Sequence, residues 1–107
     1  MSSDFAFWAR ASGDPGEVFD ALAEGDTSSL EPSESVREFR EALKRRWPGI
    51  VHMLEPTQRN LDETPDDIRK YVLLTLSYRM LDGWPDILAM AKEHGLTGYS
   101  GVGEAPL

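Results

Sequence analysis

The run Tyr71-Val72-Leu73-Leu74-Thr75-Leu76-Ser77-Tyr78 most limits what this chain can fold into. β-Branched and aromatic residues crowd it, and it holds no glycine, proline or charge, which is the composition of a strand. At a period of two, Val72, Leu74, Leu76 and Tyr78 fall on one side; Tyr71, Leu73, Thr75 and Ser77 fall on the other. The first row is apolar or aromatic and the second is mixed. The spacing therefore predicts an inner strand with one dry face and one face only partly covered.

A second interior strand is predicted at Phe5–Ala9, where Phe5, Phe7 and Ala9 share one side and Ala6 and Trp8 the other, all of them apolar. Ile50–Leu54 reads as a shorter strand. Thr97–Val102 reads as a weak one, whose glycines suggest a bend or an edge.

Three helices separate these strands. Asp14 is a good N-cap, Pro15 suits the first helical position, and Glu17 follows as in a capping box. Val18, Phe19 and Leu22 then form a buried stripe, and Gly25 ends the helix. Asp26–Pro32 is a polar connector. Ser33, or Ser35 with Glu38, caps a second helix whose Val36, Phe39, Leu43 and Trp47 recur at helical spacing. Its acids lie early and Lys44, Arg45 and Arg46 late, as the helix dipole favours, and Trp47-Pro48-Gly49 stops it. Asp82 and Pro85 open a third helix with Trp84, Ile87, Leu88 and Ala91 on its buried face, and Gly95 terminates it with Leu96 placed to seal the end.

Between Glu55 and Lys70 periodicity fails. Two prolines, Asn60 and the acids Asp62, Glu63, Asp66 and Asp67 mark a long acidic exposed loop, with a single helical turn available from Pro65 to Lys70. Glu104–Leu107 reads as a loose tail. No internal repeat or low-complexity tract interrupts the chain.

The expected fold is one α+β domain over residues 1–107. Its order, βα(α)ββαβ, is ferredoxin-like: a four-stranded antiparallel sheet with Phe5–Ala9 and Tyr71–Tyr78 in the middle and the helices on one face. The other face would be open, lined by Tyr71, Leu73, Thr75, Ser77 and Trp8. With 107 residues and 40% apolar content, one core is affordable.

A formal net charge of -8 argues against nucleic acid and against anionic membrane surfaces, and it suits a basic partner protein. Without cysteine there is no disulfide, thiol nucleophile or Cys-based zinc site. The first residues, Met1-Ser2-Ser3-Asp4, lack a signal-peptide pattern, and no apolar run nears the ~20 residues of a membrane span. A cytoplasmic protein is expected.

Chemistry is sparse. His94 belongs at a helix C-terminus as a dipole-compensating residue, and His52 on a strand has no identifiable partner for acid–base work. The two are too far apart for a zinc motif. Asp62, Glu63, Asp66 and Asp67 lack the EF-hand spacing, so they read as a solvated acidic loop where a basic partner could dock. Gly98, Gly101 and Gly103 do not form a dinucleotide loop, and Ser100 is not in a nucleophile elbow. Lys44-Arg45-Arg46 is the one basic cluster, and Trp8, Trp47 and Trp84 read as core or as an anchor for a partner. No catalytic residue, metal ligand or cofactor is assigned.

Gly13-Asp14-Pro15 with Leu22-Ala23-Glu24-Gly25-Asp26, Phe39, Leu43 and Trp47-Pro48, the core of Val72–Tyr78, and Ala91, His94-Gly95-Leu96 and Tyr99 together resemble a group of small, acidic, uncharacterised bacterial proteins. The resemblance covers most of the chain and rests on core and cap positions. It implies a shared fold and carries no activity or site residue. After the tyrosine the group continues with Asp-Pro-Gln, where this chain has Ser100-Gly101-Val102.

Three functions are therefore in play. The first is a non-catalytic protein-binding module, immunity- or antitoxin-like, that masks a basic partner. The second is a small enzyme or small-molecule binder that uses the open sheet face near His52. The third is a homodimer formed through that face.

Overall fold

The computed structural model describes residues 3–107, apart from the side chains of Ser3, Gln58, Arg59, Asn60, Tyr78 and Leu81. A five-stranded antiparallel sheet runs in the order β4-β5-β1-β6-β7. Its strands are β1 (Ser3–Trp8), β4 (Leu54–Glu55), β5 (Val72–Leu76), β6 (Thr97–Ser100) and β7 (Ala105–Pro106). A separate two-stranded ribbon pairs β2 (Arg10–Ala11) with β3 (Leu30–Glu31). The helices are α1 (Pro15–Ala23), α2 (Glu34–Arg46), α3 (Gln58–Glu63) and α4 (Trp84–Glu93). Short 3₁₀ helices occupy Pro48–Met53, Pro65–Arg69 and Tyr78–Gly83.

β1 and β5 lie side by side inside the sheet, Phe7 opposite Val72 and Phe5 opposite Leu74. Alternation then sorts their side chains. Phe5 and Phe7 join Val72, Leu74 and Leu76 in one core with Val36, Phe39 and Leu43 of α2 and Ile87 and Ala91 of α4. Phe7 sits edge-on to Phe39 at 5.3 Å, and Phe5 stacks on Trp84 at 3.9 Å. Side chains of this size, fully withdrawn from water, contribute about 1.5–3 kcal/mol each. The apolar row of β5 meets helices as expected, although the side chain of Tyr78 lies outside the described residues.

The opposite face is not open. Ala6 and Trp8 form a second core with Val18 and Leu22 of α1 and with Leu30, and Tyr71, Leu73, Phe19 and Tyr99 pack against it. The expectation of helices on a single face is corrected here. The stripe of α1 needs an apolar surface, and Ala6, Trp8 and Leu73 provide one that would otherwise be wet. The ribbon of β2 and β3 holds the connector in place, so Leu30 is buried within a stretch that reads as polar.

Other boundaries move for local reasons. The expected strand Ile50–Leu54 is mostly 3₁₀, because Pro48 starts a turn after Trp47 and only Leu54 and Glu55 reach β5. The expected loop at 55–70 contains α3 and the 3₁₀ helix Pro65–Arg69. The tail is paired rather than loose: Ala105 and Pro106 lie opposite Ser100 and Tyr99, and the Leu107 amide donates to the Gly98 carbonyl at 2.9 Å. That hairpin supplies the fifth strand.

The helix ends follow the sequence closely. The Ser33 hydroxyl accepts from the Ser35 amide to cap α2, whereas Asp14 precedes α1 without a side-chain cap. Gly25 and Gly95 have φ of 83° and 71°, as their terminating role requires. After α1, Asp26 donates to Ala21 and Gly25 to Leu22; after α4, Leu96 donates to Ala91 and Gly95 to Lys92. Both are Schellman ends.

Candidate functional site

The seam between the C-terminal half of α1 and strand β5 is not sealed. α1 is fastened on its far side, where Phe19 meets Tyr99 at 5.2 Å and crowds Gly101 so closely that a Cβ there would lie 2.7 Å from the Phe19 ring. On the β5 side two adjoining hollows share Leu22, Ala23 and Glu55.

The first hollow, about 240 Å³, is bounded by Phe19, Leu22, Ala23 and Leu73, with Asp4, Glu55 and Thr75 also lining it. Strand pairing explains the assembly. Asp4 lies opposite Thr75 and Glu55 opposite Leu73, so both carboxylates stand on the face that α1 covers. Both residues are exposed, and among the described residues neither is in an ion pair.

The second hollow, about 300 Å³, brings Thr27, Glu55, Thr64, Asp67 and Tyr71 together. Asp67 is only 9% exposed. Its carboxylate accepts from the Thr64 hydroxyl at 2.9 Å and the Thr27 hydroxyl at 3.4 Å, and Lys70 stands 3.8 Å away. These contacts occupy Asp67 structurally, tying the Pro65–Arg69 turn to the connector after α1. Burial, with Asp67 and Glu55 nearby, pushes the Tyr71 phenol up to about 12, so it is a neutral group at physiological pH.

Arg40 enters the same region from α2. At 7% exposure it donates from Nη2 to the Pro56 carbonyl at 2.7 Å, while among the described residues Nη1 has no hydrogen-bond partner. Burial lowers its pKa from the ordinary value.

The residues expected to line an open face therefore divide. Tyr71, Leu73 and Thr75 border the hollows, Trp8 is buried at 3% exposure, and Ser77 is exposed just past the end of β5. Of the acidic set, Asp62, Glu63 and Asp66 are exposed on α3 and the turn after it, and only Asp67 reaches the seam. Sequence reasoning missed Asp4, Glu55, Phe19 and Leu22 as lining. Asp4 was within reach, since one more step of the Ala6–Trp8 alternation places it on that face. Glu55 needed the pairing of β4 with β5.

The sequence from Ala11 to Val36 contains no lysine or arginine and carries Asp14, Glu17, Asp20, Glu24 and Asp26 on and around α1. All five are exposed, and among the described residues none is in an ion pair. The bases of α2 are largely matched: Arg37 to Glu34 at 3.6 Å, Lys44 to Glu41 at 3.4 Å, and Arg46 to Asp86 at 2.9 Å. Charge is thus segregated, with the carboxylates around α1 left uncompensated beside the seam.

A third hollow, about 620 Å³, is a solvent-open groove where Glu34, Arg37, Glu38, Glu41, Arg45 and His94 meet. Its signs are mixed and its walls are the ends of long flexible side chains, so it has little to recognise a ligand with. His94 Nδ1–H donates to the Met90 carbonyl at 2.8 Å, bearing out its place at a helix end. His52 is exposed on the 3₁₀ helix Pro48–Met53 and does not line the seam. Among the described residues no group of His, Asp or Glu is arranged to hold a metal ion, and no helix is long and apolar enough to cross a membrane. Comparison with protein-family models, curated proteins and solved structures finds no match.

Proposed function

We propose that this protein is a non-catalytic binding module whose acidic α1 face docks a basic protein, as an immunity or antitoxin protein covers its target. One observation carries the reading: Asp14, Glu17, Asp20, Glu24 and Asp26 are exposed and unmatched by any base between Ala11 and Val36. Uncompensated charge on one face raises the encounter rate with a partner of opposite sign and repels partners of like sign. The seam beside α1 adds apolar surface for short-range contact once the charges have brought the two together.

The finer fold assignment belongs to the same reading. We take the core as ferredoxin-like, and the order β4-β5-β1-β6 with α2 and α4 on one face supports it. On that view α1, the β2–β3 ribbon and β7 are additions, and α1 is the one that bears the site. A cytoplasmic setting fits a chain that needs no disulfide.

The test is affinity capture from the native source with two baits of equal net charge. One carries Asp20→Lys with Glu24→Lys on α1, and the other Asp82→Lys with Glu93→Lys elsewhere. The reading expects one stoichiometric basic protein on wild type and on the second bait, and its loss from the first. Equal retention by both variants, or no stoichiometric partner on wild type, would refute it.

A further inference from the structure

We propose that the hollow between Asp4 and Glu55 is an anchor pocket for a single lysine or arginine side chain of the partner; this rests on the docking reading above and names the group that enters the seam. Phe19, Leu22 and Leu73 give the hollow an apolar lining, while Asp4 and Glu55 bring carboxylates to it from β1 and β4. That combination matches a long cationic side chain, which lays its methylene stem on apolar surface and keeps its charged head among acceptors. A carboxylate engaging lysine or arginine makes a shorter and stronger hydrogen bond than a neutral acceptor does. Thr75 adds a hydroxyl acceptor between the two acids, since it lies opposite Asp4 and two residues along β5 from Leu73.

Size and charge exclude the other occupants. At about 240 Å³ the hollow by itself lies below the roughly 300–1,000 Å³ of pockets that enclose drug-sized ligands, and it suits one long side chain. A calcium ion asks for about six to eight oxygens, and the carboxylates here number only Asp4 and Glu55. An anion is refused, because the hollow presents two acids and no base. A purely apolar side chain would desolvate the carboxylates without pairing them, which is costly.

The probe is a set of capped pentapeptides, Gly-Gly-Xaa-Gly-Gly, with Xaa arginine, lysine, norleucine or glutamate, titrated into the ¹⁵N-labelled protein. The arginine and lysine peptides should move the amide resonances of Asp4, Glu55, Leu73 and Thr75 saturably. Binding should weaken by at least about fivefold in about 1 M salt, where the Debye length falls to about 3 Å. The norleucine and glutamate peptides should leave those resonances in place. Thr75→Arg, which sets a cation in the hollow, should weaken the arginine peptide about tenfold or more, equivalent to about 1.4 kcal/mol. If that variant unfolds, Asp4→Asn with Glu55→Gln serves instead and should also weaken binding about fivefold or more, by the same relation.

Norleucine binding as well as lysine would overturn the proposal. So would shifts confined to Glu17, Asp20 and Glu24 that the seam variants leave unchanged, although the α1 docking face would then stand. Conversely, arginine-peptide binding at Asp4 and Glu55 together with equal retention by the two charge-matched baits, or with no stoichiometric partner on wild type, would retain the pocket and remove the docking reading.

Discussion

Gly98 tests whether the central core is as tightly specified as its geometry implies. It lies in β6 directly opposite Phe7 of β1. A Cβ at position 98 would fall 2.9 Å from both Cδ1 and Cε1 of Phe7 and 3.0 Å from Cδ1 of Leu107. Leu107 is the end of a flexible side chain and can move. Phe7 cannot, being 1% exposed and packed at 5.3 Å against Phe39 and 6.0 Å against Trp84.

Overpacking of this kind costs about 1–3 kcal/mol. Gly→Ala also lowers the entropy of the unfolded chain and returns about 0.4–1 kcal/mol. The net expectation for Gly98→Ala is a loss of about 1.3 kcal/mol, the difference between the midpoints of those two ranges. In urea, with a slope of about 1–3 kcal/mol per molar, a loss of about 1 kcal/mol lowers the midpoint by roughly 0.3–1 M. Gly49→Ala is the control: nothing lies within 4 Å of its Cβ, so it should be neutral or slightly stabilising. In a Phe7→Leu background the cost at position 98 should shrink, leaving a coupling of at least about 0.5 kcal/mol. A Gly98→Ala protein as stable as wild type, or an equal cost in both backgrounds, refutes the argument.

Other substitutions probe the region around the seam. Arg40→Met keeps the buried stem and removes an incompletely paired guanidinium, so urea unfolding should change by less than about 1.5 kcal/mol, whereas Arg40→Ala should cost about 2–4 kcal/mol; equal losses would show that the bond to Pro56 dominates. Tyr71 holds its proton more tightly when folded, at about 12, than the ~10 of an unfolded tyrosine, so its contribution is complete below pH ~10 and is lost as pH rises through ~12. Tyr71→Phe should flatten the fall in stability across that window, and the phenolate absorbance that this substitution removes should be a late-titrating component. Asp67→Ala removes an acceptor for Thr64 and Thr27 and should cost about 1–3 kcal/mol. Hydrogen exchange should then speed up at Lys70, and at Ser33, whose amide donates to the Arg69 carbonyl at 2.7 Å; unchanged protection there would deny Asp67 its fastening role.

Much of the fold was legible because the signals are local. The two rows of Tyr71–Leu76, the stripe Val36–Phe39–Leu43 and the terminators Gly25 and Gly95 depend on neighbours one to four residues away. They appear where the periodicity placed them. The candidate site was half legible. Tyr71, Leu73 and Thr75 follow from alternation, but Glu55 joins them only through a strand pairing, and Phe19 and Leu22 only because α1 crosses that face. The acidic run misled, because Asp67 is set apart from Asp62, Glu63 and Asp66 by the hydroxyls of Thr27 and Thr64, which only the fold brings to it.

By itself, then, the sequence determined the two central strands and the helices α1, α2 and α4, the sorting of apolar residues on those strands, and a stretch of α1 rich in acid and free of base. Each is a property of spacing and composition along the chain. Only the tertiary structure decided which face of the sheet α1 would cover, that the tail would return as a fifth strand, and that Asp4 and Glu55 would border one hollow. Those outcomes come from long-range competition for apolar surface, in which Ala6, Trp8 and Leu73 are drier beneath a helix than in water, and no local pattern records the result.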